Sequence, residues 1–169
     1  YKLGDALKFA DPNDPKQGLL FDGRIVEDFK LSTGTWVSVG PLRGRFIDHC
    51  APYARDVVIA GADRNDIAVL IFPALEACRA LDPALPANAT PRQIAESPAV
   101  RARFETLIAS FARKASGSSN RITRGVLLGE PPSMDTGEMT DKGSINQRAV
   151  LAQRAPLVAE LYTKPYSAR

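Results

Sequence analysis

Hydrophobic residues follow a strand-like pattern in the middle of the chain and a helix-like pattern further on. Two near-continuous apolar runs, residues 56–60 and 67–72, predict strands that are buried on both faces. From Pro91 the apolar residues recur at spacings of about three and four, which predicts an amphipathic helical region that stops at Gly117. Residues 121–128, with Ile122 and Val126 to Leu128, predict a third strand.

Extended segments and turns dominate the N-terminal part. Residues 1–9 and 19–21 predict strands or strand ends that are separated by a proline-rich turn. Residues 29–39 carry aromatic and β-branched residues on both sides of Gly34, and this predicts a β-hairpin, because glycine tolerates the positive φ of a tight turn. Pro41 then predicts the first turn of a helix, which ends before Pro52.

The C-terminal part combines a long loop with a helix. Residues 129–143 have few apolar side chains, and a loop of this length inside a compact domain is either disordered or functional. Ser144 and Gln147 match a capping box, in which each side chain bonds a free backbone N–H at the start of a helix. We expect that helix to kink or restart at Pro156.

Together the elements predict an α+β fold in which a β-hairpin and a small mixed sheet are flanked by helices. The order of the strands stays open at this point. The composition, with 44% hydrophobic and 24% charged residues among 169, is ordinary for a soluble globular protein. The apolar runs are too short to cross a bilayer and residues 1–9 do not resemble a signal peptide, so we expect a cytoplasmic protein.

The net charge and the small number of cysteine and histidine residues limit the kinds of ligand that we expect this chain to bind. The net charge is only +3 and the basic residues are scattered, which argues against nucleic acid and favours a small anionic ligand. Cys50, Cys78 and the single His49 are too few for a site of several thiols or histidines, so we expect no metal site in this chain. We also expect both thiols to stay reduced in the cytoplasm.

Residues 21–40 hold the densest set of chemically distinctive groups. Arg24 follows a turn signal, Gly34 lies between two threonines, and Lys142 lies further on, just before the helix that the capping box predicts. A plain hairpin with solvated charges and a solvated loop lysine also explain these residues. The pattern alone leaves both interpretations open.

Three motifs nevertheless occur in an order that a known enzyme family shares. They are YKLGD at residues 1–5, Gly23–Arg24 followed by Lys30 and Gly34, and TDKGS at residues 140–144. In order and rough spacing they resemble the last conserved motifs of the adenylate-forming acyl-CoA synthetases, and the resemblance covers nearly the whole chain. The resemblance is more specific in two segments. The amino-acid sequences of residues 21–40 and 140–162 are similar to those of the feruloyl-CoA synthetases, which act on hydroxycinnamates.

The resemblance implies that the chain is the C-terminal part of an ATP-dependent acid–CoA ligase. Residues 1–24 would be the last stretch of the large N-terminal AMP-binding domain, and residues 25–169 would be the C-terminal lid domain, with the hinge near residues 24–28. The full-length enzyme would convert a hydroxycinnamate and ATP into an acyl-adenylate, and then use CoA to form hydroxycinnamoyl-CoA (feruloyl-CoA). ATP-bound Mg²⁺ and the acyl pocket would belong mainly to the large domain, so the chain alone is expected to be inactive.

The resemblance assigns the roles of the family's site residues to the matching positions of this sequence. The resemblance assigns nucleotide binding to Asp5 and Arg24, which would contact the ribose hydroxyls. It assigns the catalytic role to Lys142, which would bridge the attacking carboxylate and the α-phosphate of ATP. Because the segment after Arg24 is one residue longer than usual, Val26, Glu27 or Asp28 could be the hinge, and we favour Glu27 or Asp28.

The hairpin around Gly34 would line the channel of the CoA pantetheine, since glycine lets a backbone approach a ligand closely. The residues of this CoA loop would be Thr33, Gly34, Thr35 and Trp36. Arg43 and Arg45 are candidates for contacts with the CoA phosphates. Two alternatives remain: the lid of another acyl-adenylating enzyme, for fatty or aryl acids, or a non-catalytic binding module with similar loops.

Overall fold

The structure, a computed structural model, describes residues 4–163. The start of the first motif, residues 1–3, therefore lies outside the described residues. The elements, in chain order, are β1 (Asp5–Phe9), β2 (Leu19–Arg24), β3 (Phe29–Lys30), β4 (Trp36–Val37), α1 (Val39–Cys50), β5 (Ala54–Ala60), β6 (Ile67–Pro73), α2 (Leu75–Arg79), α3 (Pro91–Glu96), α4 (Pro98–Arg113), β7 (Ile122–Leu127), α5 (Gln147–Gln153) and α6 (Ala155–Thr163).

The main sheet has three strands in the order β5–β6–β7. Strands β5 and β6 pair antiparallel, so that Val58 lies opposite Leu70, whereas β6 and β7 pair parallel, with Leu70 opposite Val126. A parallel pair requires a long crossover, and helices α2, α3 and α4 supply it between β6 and β7. All residues of the central strand β6 are buried, which confirms the prediction from its continuous apolar run.

The sheet separates two hydrophobic cores, because alternate residues of a strand point to opposite faces. On one face, Val57 and Ile59 of β5 pack in the core that includes Phe46 of α1 and Phe104 of α4. On the other face, Val58 packs in the core that α5 and α6 cover. Helices therefore flank a small mixed sheet, and the predicted α+β fold class is confirmed.

The helical region after Pro91 consists of two helices, α3 and α4, rather than one continuous segment. Pro98 lacks a backbone N–H and begins a new helix, and the hydroxyl of Ser97 accepts a hydrogen bond from the Val100 N–H (3.4 Å). The predicted apolar stripe is confirmed where α4 faces the sheet, since Val100, Phe104 and Ile108 are buried.

The predicted capping box at the start of α5 is wrong. Helix α5 is capped by Asn146, whose side chain accepts from the Ala149 N–H (3.3 Å). Gln147 is buried, and its side-chain oxygen accepts a hydrogen bond from the Ile59 N–H of the main sheet (3.1 Å). Ser144 takes part in the turn before the helix. A buried backbone N–H on β5 therefore determines the position of Gln147.

Strands β1 and β2 form an antiparallel ribbon outside the main sheet, here called the N-terminal ribbon. Its apolar side chains are unusually exposed: Leu7, Phe9, Leu19, Leu20 and Phe21 have exposed fractions of 48–63%. The ribbon contacts α1 through Gly23 and Gly40. A Cβ on Gly40 would lie only 2.5 Å from the Cα of Gly23, so the two backbones touch at this point.

Candidate functional site

Lys142 lies at the tip of a short hairpin, here called the Lys142 turn (residues 139–145). Met139 and Ile145 form the antiparallel bridge at its base. The Gly143 N–H donates to the carbonyl oxygen of Thr140 (2.9 Å), which closes the turn. Gly143 has a φ of 78°, a value that favours glycine, and this explains why a glycine directly follows the lysine. The lysine itself is exposed.

A nearly buried ion pair lies directly behind the Lys142 turn. Glu138 is 3% exposed, and its carboxylate accepts two hydrogen bonds from the guanidinium of Arg154, at 2.7 and 2.9 Å. The Ser133 N–H donates to the same carboxylate (2.9 Å). The hydrogen bond from Arg154 lowers the pKa of the Glu138 carboxyl below its ordinary value, and this effect outweighs the opposing effect of burial.

The predicted hairpin around Gly34 is confirmed as β3–β4 and the loop between them. Residues 31–36 keep the label CoA loop, because they contain the four residues that the resemblance assigns to CoA binding. The Leu31 N–H donates to the Thr35 carbonyl oxygen (2.9 Å), and the Gly34 N–H donates to that of Leu31 (2.8 Å). Gly34 has a φ of 82°, and a Cβ added to it would touch no other atom within 4 Å. The hydroxyls of Thr33 and Thr35 are 3.0 Å apart, and Trp36 is half-exposed.

Backbone hydrogen bonds tie the CoA loop to the turn that links β5 to β6. The Ser32 N–H donates to the carbonyl oxygen of Arg64 (2.9 Å), and the Asp63 N–H donates to that of Lys30 (3.0 Å). In addition, the Ser32 hydroxyl donates to the side-chain oxygen of Asn65 (2.6 Å). The loop is therefore fixed to one end of the main sheet.

The Lys142 turn lies at the other end of the same sheet. Gly143 lines a cavity of about 400 Å³ together with Phe72 and Pro73 at the end of β6. The CoA loop, by contrast, is bonded to the turn where β6 begins. These two sites are thus separated by roughly the length of a seven-residue strand, about 20 Å.

Asp5 and Arg24 are brought together by the N-terminal ribbon, in which they lie directly opposite each other across the strands. Both are exposed, and the Arg24 guanidinium is 4.0 Å from the Glu27 carboxylate. Glu27 ends a short 3-10 turn, and its side chain is only 11% exposed. A carboxylate and a guanidinium side by side can bind a ligand that carries both hydroxyls and negative charge.

Asp28 has a different environment from its neighbour Glu27. Its carboxylate accepts a hydrogen bond from the Val39 N–H (2.8 Å), the first residue of α1. Ser38, the residue before α1, makes no side-chain cap of its own. Asp28 therefore caps α1 from a distance in the sequence and is attached to the body of the main sheet.

A cleft of about 540 Å³ lies between the N-terminal ribbon, α1 and the Lys142 turn. Its charged and polar lining includes Lys8, Arg24, Glu27, Arg43, Arg45, Asp48 and Ser144. Arg43 is largely occupied, because it donates to both carboxylate oxygens of Asp56 (2.7 Å each). Arg24 and Arg45 are exposed, and the lining also contains the acids Asp22, Glu27 and Asp48, so basic and acidic side chains are mixed in the cleft. The cleft joins Arg24 to the Lys142 turn, whereas residues 31–36 do not line it.

Sequence analysis did not identify Glu138, Arg154 or the Arg43–Asp56 pair. Glu138 lies in the same polar loop as the exposed acids Asp135 and Asp141, and no local pattern distinguishes it from them. Its partner is 16 positions away along the chain. Only the tertiary contact reveals its role.

Between residues 4 and 163, no group of three or more His, Cys, Asp or Glu side chains is arranged to hold a metal ion. Cys50 and Cys78 are buried and unbonded to each other, and burial raises the pKa of the Cys50 thiol to about 12 and that of Cys78 to about 11. In the same part of the chain, every helix is too short or too polar to span a bilayer.

Comparison with known families identifies this architecture. The model of the AMP-binding enzyme C-terminal domain matches residues 28–165, most of the chain. The chain belongs to this family. Its matched region begins at Asp28, directly after the short 3-10 turn that follows the N-terminal ribbon. No curated protein sequence matches the chain.

Solved structures with the same fold include larger adenylation enzymes. The A domain of carboxylic acid reductase from Segniliparus rugosus, in complex with AMP and a carboxylic acid, is 19% identical with a TM-score of 0.66; the match covers 95% of this chain and 23% of that one. The adenylation domain of the carboxylate reductase from Mycobacterium chelonae is 16% identical with a TM-score of 0.65. That match covers 96% of this chain and 23% of the other one.

A CoA ligase has the same fold. The anthranilate CoA ligase AuaEII, in complex with anthranoyl-AMP, is 18% identical with a TM-score of 0.57, and the match covers 94% of this chain and 25% of that one. This chain thus spans about a fifth to a quarter of the structures that it matches. At these identities the likeness establishes the fold.

Proposed function

We propose that the chain is the C-terminal part of an ATP-dependent acid–CoA ligase that forms hydroxycinnamoyl-CoA through an acyl-adenylate. The observation that carries the proposal is the position of the Lys142 turn and the CoA loop at opposite ends of one sheet. An enzyme with two successive half-reactions at one site needs two sets of groups. A rigid domain that rotates presents one end and then the other to the same substrate.

The first half-reaction is assigned to the Lys142 turn. A carboxylate oxygen of the acid attacks the α-phosphorus of ATP, and pyrophosphate leaves. The exposed Lys142 ammonium would bridge the attacking carboxylate and the α-phosphate, where negative charge accumulates. Asp5 would accept hydrogen bonds from the ribose hydroxyls, and Arg24 would donate to the ribose. Their direct pairing across the N-terminal ribbon supports a shared ligand.

The second half-reaction is assigned to the CoA loop. The CoA thiolate attacks the carbonyl carbon of the acyl-adenylate, and AMP leaves. The backbone of Gly34 has open space around it. The hydroxyls of Thr33 and Thr35 and the half-exposed ring of Trp36 belong to the neighbouring residues. These features support a loop that lines a narrow pantetheine channel. Arg45 is exposed and stays a candidate for a contact with a CoA phosphate, although it lines the cleft beside the Lys142 turn and not the CoA loop, whereas Arg43 is paired with Asp56.

The hinge is proposed at Glu27, with residues 1–24 in the large domain and residues 25–169 in the lid. Asp28 caps α1 and would move with the lid, so the preceding residue is the better pivot. The exposed apolar side chains of the N-terminal ribbon support this division, since a larger domain would cover them. The family match, which begins at residue 28, agrees with the same boundary.

Substrate and cofactors follow from the proposed class. The amino-acid sequence of residues 21–40 and 140–162 supports a feruloyl-CoA synthetase. Membership of the family supports the lid of an enzyme for another aryl acid or a fatty acid equally well. Initial rates of the full-length protein with a panel of hydroxycinnamic, benzoic and fatty acids distinguish these. Mg²⁺ would arrive with ATP, and its ligands are assigned to the large domain, as the family resemblance implies.

Substitution of the lysine tests the proposal. In the full-length protein, Lys142→Ala is expected to slow adenylate formation on the order of a hundredfold or more, measured as acid-dependent pyrophosphate release. Transfer of a pre-made acyl-adenylate to CoA should be largely unchanged. Lys114→Ala, at an exposed position at the end of α4, is the control for loss of a surface lysine. An equal loss in both half-reactions would contradict the bridging role.

A further inference from the structure

The Lys142 turn is attached to the rest of the molecule at two buried residues. Ile145 packs in the core that α5 and α6 cover, and Glu138, directly before the turn, makes a buried ion pair. Both oxygens of the carboxylate are occupied: one accepts from Nε of Arg154 (2.7 Å), and the other accepts from Nη2 of Arg154 (2.9 Å) and from the Ser133 N–H (2.9 Å). A bidentate pair of this kind fixes orientation as well as distance.

The backbone of Glu138 also bonds across the base of the turn. Its carbonyl oxygen accepts from the Asn146 N–H (2.8 Å), and Asn146 in turn caps α5. The next residue, Met139, donates its N–H to the Ser133 carbonyl oxygen (3.2 Å) and forms a bridge with Ile145. The N-terminal side of the turn is therefore held at Glu138 and Met139, and Glu138 also bonds Asn146, the residue that follows the turn.

Arg154 connects this residue to the main sheet. It lies between α5 and α6, and its guanidinium is 5.4 Å from the ring of Phe72 on the central strand β6. It also donates to the carbonyl oxygen of Pro131 at the start of the loop (3.2 Å). The Arg154 side chain therefore lies against the ring of Phe72 and bonds the loop at both Pro131 and Glu138, which makes it a rigid attachment.

We propose that Glu138 and Arg154 are positioning residues for Lys142, a role that rests on the function proposed above. Within residues 4–163, Lys142 makes no side-chain hydrogen bond or ion pair that would hold it in place. Its position therefore depends on the backbone of the turn, and the Glu138–Arg154 pair holds the side of that backbone that leads into the lysine. A reacting group displaced by about 1 Å can cost on the order of a hundredfold in rate.

The test compares the two half-reactions of the full-length protein in Glu138→Gln, Arg154→Gln and the double variant. We expect each single variant to slow acid-dependent pyrophosphate release about 10- to 100-fold, with CoA transfer from a pre-made acyl-adenylate unchanged. The double variant should be no slower than either single one, because the two residues act as a unit. Arg154→Lys keeps the charge but loses the bidentate geometry, and should fall between wild type and Arg154→Gln.

Glu105→Gln is the control for the loss of a carboxylate. Glu105 is exposed on α4, and α4 packs against the opposite face of the main sheet from the core that contains Ile145 of the Lys142 turn. This variant should leave both half-reactions unchanged. Hydrogen exchange at the Ser133 and Asn146 amides supplies a readout besides activity, and both amides should exchange faster in Glu138→Gln.

Three results would overturn the proposal. Unchanged adenylation in Glu138→Gln and Arg154→Gln, with Lys142→Ala still impaired, would refute the positioning role and leave the proposed function intact. Equal losses in both half-reactions would indicate general destabilisation. Unchanged adenylation in Lys142→Ala would refute the proposed function itself, and the positioning role with it.

Discussion

At the scale of single residues, two glycines determine where the candidate loops can turn. Gly34 and Gly143 have φ values of 82° and 78°, and each closes a hairpin whose tip is exposed. The side chains beside them are therefore presented to a ligand by backbone geometry. The sequence left Glu27 and Asp28 as hinge candidates, and the hydrogen bond from the Val39 N–H to Asp28 is the reason why Glu27 is the one proposed.

Gly34→Leu is expected to impair CoA transfer while adenylate formation continues. The positive φ makes any other residue less stable by about 1 kcal/mol, and the new side chain would occupy the proposed pantetheine channel. The measurement is the single-turnover rate of CoA-ester formation from a pre-made acyl-adenylate, compared with pyrophosphate release.

Gly18→Leu serves as the control for backbone strain. Gly18 also has a positive φ (89°) and open space around it, but it lies in the turn of the N-terminal ribbon. It should lower stability without a selective loss of CoA transfer. If Gly34→Leu slowed adenylation as much as transfer, the assignment of this loop to the second half-reaction would be wrong.

At the scale of elements, long-range polar contacts attach the loops to the sheet. The Glu138–Arg154 pair holds the Lys142 turn, Gln147 joins α5 to β5, and Asp66 accepts from Arg124 (2.8 Å) beside the CoA loop. Tyr162 donates to the carbonyl oxygens of Ala60 (3.2 Å) and Asp66 (3.0 Å), which fixes α6 at the same end. Each candidate loop is thus supported by a separate set of buried bonds.

The contribution of Glu138 to stability should depend on pH. Because its folded pKa is lowered, the stabilisation is fully present above the unfolded pKa of about 4.3 and is lost as the pH falls through the lower folded value. The charged group that faces the carboxylate is Arg154, and Glu130 is the acid near that arginine. At pH 7, Glu138→Gln should cost about 3 kcal/mol, or roughly 6–12 °C in Tm.

Thermal unfolding of the chain and of Glu138→Gln between pH 7 and pH 3 checks this expectation. The difference in Tm should be constant above about pH 5 and should shrink below about pH 4. A difference that stays constant down to pH 3 would show that the carboxylate charge does not contribute.

At the scale of the whole molecule, the hydrophobic core lies almost entirely outside the N-terminal ribbon. The buried hydrophobic residues of the described chain run from Leu31 to Val150, whereas the ribbon exposes its apolar side chains. The part of the chain after the hinge therefore has what it needs to fold alone. The proposed acyl pocket and most of the ATP site belong to the large domain.

We expect polypeptides 1–169 and 28–169 both to fold and neither to turn over. Each should unfold in one cooperative thermal transition, because the two cores share the central strand β6. Neither should release pyrophosphate or form a CoA ester with any acid in the panel. Product formation by either polypeptide would contradict the inactivity of the isolated chain, and failure of 28–169 to fold would contradict the proposed boundary.

The sequence by itself determined the elements whose signals are local. Near-continuous apolar runs identified β5 and β6. The spacing of Val100, Phe104 and Ile108 identified α4, and Gly34 identified the hairpin. These predictions held because burial of one strand or one helix face is encoded in neighbouring residues. The ordered motifs also led to the family that the domain match established.

Only the tertiary structure decided the features that depend on distant partners. The parallel pairing of β6 with β7 joins residues on either side of a helical crossover, and Gln147 caps no helix because its partner, Ile59, is 88 positions away. Glu138 is buried because Arg154 reaches it, while similar acids in the same loop are exposed. The sequence does not show whether a polar side chain forms its hydrogen bonds with water or with a buried partner, because only folding brings that partner close.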